Sequence, residues 1–281
     1  MRIAIIAMGD MGSGVAARLV HNGVRVVTNL VGRSDASADR AARAGVEIAP
    51  DDAAMIVGCD MILSIVPPAH AKAMAERLRE PLSAAAAPPL FVDCNAIAPA
   101  TMREIASTYE ASGLPMVDAG ILGGPPHGES YSPRIYASGP GAADLAALKA
   151  FGLDVIVCSD RIGDASAVKM SFAGMTKGSH AVALSMMMGA ERAGVGEILW
   201  KEIEAAVPGL LARPVRMTPE ILKKAYRWDG EMEEIARFLA AEPGSETIFH
   251  GAAKLYEALS TSDGATGDQR ALLDAFTARA R

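Results

Sequence analysis

Arg2-Ile3-Ala4-Ile5-Ile6-Ala7-Met8-Gly9-Asp10-Met11-Gly12-Ser13-Gly14, followed by the helical run Val15 to Val20, is the stretch whose reading decides the fold. After Arg2 its residues are branched and small apolar ones through Ala7, the make-up of a strand buried on both faces. Its glycines fall at the spacing G-x-G-x-x-G, with Ala7 in the first place. Gly9 lets a pyrophosphate approach the backbone, and Gly12 lets the following helix pack against the strand. The helix start then offers free N–H groups and partial positive charge to phosphate. This strand, loop and helix predict a dinucleotide-binding βαβ unit with contacts from Gly9, Met11 and Gly12.

Outward from that unit, apolar runs alternate with helical stretches. Strands are expected at Arg2 to Ala7, Val24 to Leu30, Asp60 to Val66, Leu90 to Asp93, Met116 to Ala119, Arg134 to Ala137 and Asp154 to Cys158. Helical segments such as Pro99 to Ser112 and Ala142 to Phe151 lie between them. Val- and Ile-rich strands joined by helical crossovers imply an α/β fold with a Rossmann-type, doubly wound parallel sheet. After Ser159 the pattern changes. Gly163 opens some thirty residues without proline and with helical periodicity, and no convincing strand follows. Thr218-Pro219-Glu220 has the hydroxyl, proline and acid of a helix start, and Ile248 to Leu259 keep one face of a further helix. The expected organisation is a dinucleotide-binding domain over 1–160 and an all-helical C-terminal domain over 161–281, entered through one long helix.

The 281 residues hold 27 Lys and Arg against 33 Asp and Glu, a formal charge of -6, with 51% hydrophobic but only 5% aromatic residues. This composition excludes disorder and provides no basic patch for nucleic acid. Cys59, Cys94 and Cys158 form no C-x-x-C pair and read as buried thiols of a reducing compartment. The charged, apolar opening imitates a signal peptide, but Asp10 interrupts it. No run approaches the roughly 18 to 20 apolar residues of a membrane span, so a cytoplasmic protein without a membrane partner is expected. His21, His70, His127, His180 and His250 show no ligand spacing, and no metal is expected.

An NAD-binding domain usually ends its second strand on an acid for the adenosine ribose. Here Thr28-Asn29-Leu30-Val31-Gly32-Arg33-Ser34 has no carboxylate before Asp35. Asn29, Arg33 and Ser34 suit a 2'-phosphate, so NADP is the expected cofactor, with NAD as the alternative.

In motif order over roughly residues 1–195 the sequence resembles the β-hydroxyacid dehydrogenase family, which includes 3-hydroxyisobutyrate and 6-phosphogluconate dehydrogenases. Four segments carry the likeness: the glycine loop, Asp60 to Pro67, Phe91 to Pro99, and Gly163-Asp164-Ala165-Ser166-Ala167-Val168-Lys169. The resemblance implies a homodimer and an oxidoreductase that moves a hydride between the dinucleotide, expected from Asn29, Arg33 and Ser34 to be NADP, and a small hydroxy acid or related hydroxy or carbonyl compound. It implies that Val66 and Pro67 line the nicotinamide, that Asn95 and the paired Gly123 and Gly124 meet the substrate, and that Lys169 is the general acid/base. A lysine suits that task because a partly desolvated ammonium has its pKa lowered and can exchange a proton with the substrate oxygen.

The pattern also departs from the family. Phe172 and Ala173 occupy places that usually hold asparagine, Thr176 stands where a 6-phosphogluconate enzyme has an acid, and Leu122 replaces a serine. Lys177, about 80° around the helix from Lys169, could add a second positive charge at the substrate. These departures, and a helical tail that diverges from the family, keep two alternatives open: an imine reductase-like enzyme and a non-catalytic dinucleotide-binding protein.

Overall fold

The computed structural model describes residues 1–128, 130–260 and 267–280. They form two compact units, Met1–Met170 and Ser171–Arg281.

The first unit opens with β1 (Arg2–Ile6), α1 (Asp10–His21), β2 (Arg25–Asn29), α2 (Asp35–Arg43), β3 (Glu47–Ala49), α3 (Asp52–Ile56) and β4 (Met61–Ser64). It continues through α4 (Ala71–Ser83), β5 (Leu90–Asp93), α5 (Pro99–Ala111), β6 (Met116–Leu122), β7 (Arg134–Ser138), α6 (Ala142–Ala146) and β8 (Asp154–Ser159) to the start of α7 (Asp164–Ala173). The strands form one sheet in the order β3-β2-β1-β4-β5-β6-β7-β8. Residues of β1 alternate between two cores. Ile3 and Ile5 pack with Val15 and Leu19 on one face, while Ala4 and Ile6 pack with Leu78, Phe91 and Tyr109 on the other. Burial on both faces is why these strands read as unbroken apolar runs.

Two expectations about the sheet need correction. Glu47–Ala49 adds an eighth strand, too short to stand out in the sequence and with Glu47 and Ile48 exposed. The sheet is also not wholly parallel, because β7 runs antiparallel to β6 while β8 runs parallel to β7. A parallel return needs a crossover of about a dozen residues or more, usually helical. Only the residues 123–133 join β6 to β7, and they include three prolines and three glycines.

Beyond α7 come a π turn (Gly174–Gly178), α8 (Ser179–Arg192), α9 (Gly196–Ala206), α10 (Ala212–Lys224), α11 (Trp228–Phe238), α12 (Ser245–Ser260) and α13 (Gly267–Thr277). The second unit has no strand among the described residues. Its core gathers Ile221, Trp228, Met232, Ile235, Tyr256, Leu259, Leu273 and Phe276. The predicted helix start at Thr218-Pro219 is not one. Pro219 lies inside α10, and Pro214 occupies the first turn. The Thr218 hydroxyl donates to the Pro214 carbonyl at 3.0 Å, so it bonds back along the helix instead of capping a new one. Cys59 and Cys94 are buried free thiols as expected, but Cys158 is exposed near the end of the edge strand β8. Among the described residues no helix is long and apolar enough to cross a membrane.

Candidate functional site

At the end of β1 the chain turns sharply. Ala7 adopts φ 73°, a left-handed conformation that costs a residue with a Cβ about 1–3 kcal/mol. Gly9 precedes α1 in extended conformation, and no side chain caps the helix. A Cβ built on Gly12 would lie 2.1 Å from the Ala7 carbonyl oxygen, whereas one on Gly9 would meet nothing within 4 Å. The two glycines therefore do different things. Gly12 lets α1 press against the loop, and Gly9 keeps open the face above an uncapped helix start, where first-turn N–H groups lack intrahelical partners. These residues fit a dinucleotide pyrophosphate. Met11 packs half-buried against the core, and Arg40 Nε on α2 donates to the Met8 carbonyl at 2.6 Å, tying α2 to the loop.

The end of β2 carries no carboxylate, but Asn29 is engaged with protein. Its Nδ2 donates to Asp52 Oδ1 at 2.7 Å and its Oδ1 accepts the Val31 N–H at 2.8 Å. Arg77 holds Asp52 through two bonds of 2.6 and 3.0 Å. Asn29 thus shapes the 30–34 turn, on which Arg33 and Ser34 are exposed.

A row of buried polar residues crosses the sheet where β4 and β5 end. Ser64 pairs with Asp93, Asp93 with Asp118, and Asp118 with Ser138. Asn95 joins this row. Its N–H donates to Asp93 Oδ1 at 2.9 Å, its Nδ2 donates to Ser64 Oγ at 3.1 Å, and its Oδ1 accepts the Val66 N–H at 2.7 Å. Only 2% of Asn95 is exposed, so its amide fixes the turn carrying buried Val66 and exposed Pro67. Asp93 Oδ2 is buried with no hydrogen-bond partner among the described residues. Burial pushes the Asp93 carboxyl up to about 7; the Asp118 charge adds to the rise and the Asn95 N–H opposes it.

Asp118 has a different setting. Its Oδ2 accepts from the Ser138 hydroxyl at 2.9 Å, the Gly163 N–H at 2.9 Å and the Ser166 N–H at 3.0 Å. Its Oδ1 accepts the Ser166 hydroxyl at 2.7 Å, and Ser138 Oγ accepts the Ala165 N–H at 2.9 Å. Burial raises the Asp118 pKa, and these donors work against the rise. Together Asp118 and Ser138 cap the start of α7. One turn on, half-buried Lys169 passes β6 so closely that a Cβ on Gly120 would lie 2.9 Å from its Cβ. Asp118, Ser138, Ser166 and Gly120 are not among the site residues expected from the sequence. Gly120 lies just past the strand expected at Met116 to Ala119, and only the longer β6, which runs to Leu122, places it inside the strand.

After β6, Gly123 and Gly124 are exposed, and the Gly124 N–H donates to the Tyr131 hydroxyl at 3.0 Å. His127 stacks on Tyr131 with ring centroids 4.6 Å apart.

Lys177 lies in the second unit, inside the π turn, where an α-helical angular offset no longer applies. Its ammonium is ion-paired with Glu231, a side chain only 6% exposed, and lies 5.0 Å from the Trp228 ring centroid. Tyr256 donates to its carbonyl at 2.7 Å. The expected second free charge is thus balanced by a buried carboxylate that itself needs a cation. Among the described residues no cluster of His, Cys, Asp and Glu could hold a metal ion.

The family model described as the NAD binding domain of 6-phosphogluconate dehydrogenase matches residues 2–151. A second, described only as a domain of unknown function (DUF1932), matches 190–259. An uncharacterised 28.5 kDa protein of Methanothermus fervidus is 26% identical over 204 residues, 73% of this chain and 76% of that protein. The 3-hydroxyisobutyrate dehydrogenase of Pseudomonas aeruginosa is 30% identical over 123 residues, 43% of this chain but only 41% of that enzyme's length. The solved Mycobacterium tuberculosis 3-hydroxyisobutyrate dehydrogenase with L-serine aligns over 98% of each chain with a TM-score of 0.72. At 21% identity, that last likeness is one of fold.

Proposed function

The chain belongs to the β-hydroxyacid dehydrogenase family, and from that premise we propose that it transfers a hydride between NADP(H) and a small hydroxy acid or related hydroxy or carbonyl compound. The observation that carries this reading is the seat of Lys169. Its helix starts on the buried Asp118 and Ser138, and its Cβ stands against Gly120, three residues before the exposed Gly123-Gly124 turn. The nicotinamide supplies the hydride acceptor or donor when bound. Gly9, Met11 and Gly12 would hold the pyrophosphate, and Val66 and Pro67, on the turn that Asn95 fixes, would border the nicotinamide. Lys169 takes the proton of the substrate hydroxyl during oxidation and returns it during reduction, a role that contributes about 10²- to 10⁴-fold in rate.

The NADP preference rests on Arg33 and Ser34, exposed beside an Asn29 that leaves the end of β2 without a carboxylate. A homodimer is the assembly this reading includes. It is supported by the exposed Phe172, Met175, Val182 and Met186 in the second unit, an unusual run of apolar surface. Cytoplasmic localisation rests on the free thiols of Cys59, Cys94 and Cys158.

Lys169→Ala tests the mechanism. NADPH binding, followed by its fluorescence, should be unchanged, while turnover of a hydroxy acid and carbonyl panel should fall at least a hundredfold. Near-normal turnover in the variant overturns the lysine's role. Wild-type turnover of imines alone favours the imine reductase reading, and NADPH binding without any turnover favours a non-catalytic protein.

A further inference from the structure

Leu122 removes a hydroxyl that the family resemblance calls for, and the fold brings another to the same turn. The Gly124 N–H donates to Tyr131 Oη at 3.0 Å. Gly123 sits at φ 125°, and a Cβ there would stand 2.4 Å from that phenol oxygen. Both the conformation and the tyrosine therefore demand glycine.

Tyr131 is firmly held. Its ring stacks on His127 at an interplanar angle of 26°, and its carbonyl accepts from Arg18 at 2.9 Å and from the His127 N–H at 3.3 Å. Arg18 also donates to the carbonyls of Gly128 at 2.7 Å and Gly152 at 3.0 Å. The helix that follows the dinucleotide loop thus also anchors the Tyr131 segment. Pro125 and Pro126 press on α1 at Gly14, where an added Cβ would be 3.1 Å from each.

A phenol oxygen carries one proton and two lone pairs. One lone pair takes the Gly124 N–H, while the proton has no hydrogen-bond acceptor assigned among the described residues. Accepting one bond polarises the hydroxyl and makes it a stronger donor for the next. We propose that Tyr131 supplies the hydroxyl missing at Leu122, donating it to a carboxylate or carbonyl oxygen of the substrate beside Gly123 and Gly124. The site then takes small acids despite the serine lost at Leu122. This inference deepens the dehydrogenase reading and rests on it for the identity of the site. From Gly120, against Lys169, to Gly123 is three residue steps, or roughly 10 Å at about 3.4 Å each, a span that a lysine side chain and a small hydroxy acid fill together.

Isobutyrate is a suitable probe, because it has a carboxylate on a short branched chain but no hydroxyl to oxidise. Its dissociation constant from the NADP⁺-loaded protein is measured by titration calorimetry for the wild type, Tyr131→Phe and the double variant Leu122→Ser/Tyr131→Phe. Losing a hydrogen bond to a charged group weakens binding roughly 10- to 100-fold. Tyr131→Phe should therefore raise the constant at least tenfold, and the added serine should recover most of the loss. Phenylalanine keeps the ring and its stack, so NADP⁺ affinity should not change. Equal isobutyrate affinity in wild type and Tyr131→Phe, no recovery in the double variant, or no binding by the loaded wild type each overturns the proposal. None of these readouts is turnover. A protein that binds isobutyrate through Tyr131 yet oxidises no hydroxy acid would uphold this inference while refuting the dehydrogenase reading.

Discussion

Replacing Asp118 with leucine removes the acceptor that joins β6 to the start of α7 while keeping a side chain of similar shape. Four donors lose their partner: the Gly163 and Ser166 N–H groups and the Ser138 and Ser166 hydroxyls. The hydroxyls can rotate to other acceptors, but the two backbone groups cannot. Each buried N–H left unsatisfied costs about 1–3 kcal/mol, or about 2–6 kcal/mol for the pair. Burial has raised the Asp118 pKa, so removing its charge relieves a desolvation cost and favours the lower half of that range. A loss of about 2–4 kcal/mol corresponds to a melting temperature roughly 4–16 °C lower in a domain of this size. Circular dichroism reads the midpoint, and amide hydrogen exchange at Gly163 and Ser166 reads the local effect. Both amides should lose protection in Asp118→Leu and keep most of it in Asp118→Asn, whose remaining oxygen can still accept. If both amides stay protected in Asp118→Leu and the midpoint does not move, Asp118 is not what seats α7.

Three further variants test the glycine loop and the buried polar row. Gly9→Ala should leave the thermal midpoint within about 1 °C of wild type, since its new Cβ meets open space, yet weaken NADPH binding by tenfold or more as measured by fluorescence titration. Gly12→Ala, whose Cβ would collide with the Ala7 carbonyl, should lower the midpoint as well; equal midpoints in the two variants would count against separate roles. Asp93 makes stability depend on pH. Its folded pKa of about 7 lies above an unfolded value of about 3.9, so its contribution is fully present below about pH 4 and is lost as pH rises through 7. Urea denaturation from pH 4.5 to 8 should show wild-type stability falling relative to Asp93→Asn by up to about 4 kcal/mol, and parallel curves would mean that Asp93 is already ionised across that range.

The glycine loop and the strands were legible because their causes are local. Ile3 to Ile6 are apolar in a row since both faces of β1 are buried, and Gly12 is a glycine because a backbone oxygen occupies the space beside it. What escaped the sequence reading depends on partners far along the chain. Asp118 gains its meaning from Ser166, 48 residues later, and Lys177 gains its partner from Glu231, 54 residues later. No local pattern distinguishes such a carboxylate from a solvated one. The turn after β5 marks Asn95 as a site residue, but its sequence neighbours do not reveal that both ends of its amide bond protein groups. Pro219 misled for a related reason: a Thr-Pro-Glu start signal describes a chain whose upstream turn is free, and here that turn was already helical.

β6 and α7 form two rails joined at Asp118 and again at Gly120. The height of Lys169 above β6 is therefore set by strand register and helix pitch at Asp118 and Gly120, both of which precede the segment 123–133. That segment can lengthen, shorten or exchange its side chains over evolutionary time without displacing the lysine. Descendants of such a chain could change what they bind through a handful of loop substitutions and leave the frame that holds Lys169 intact.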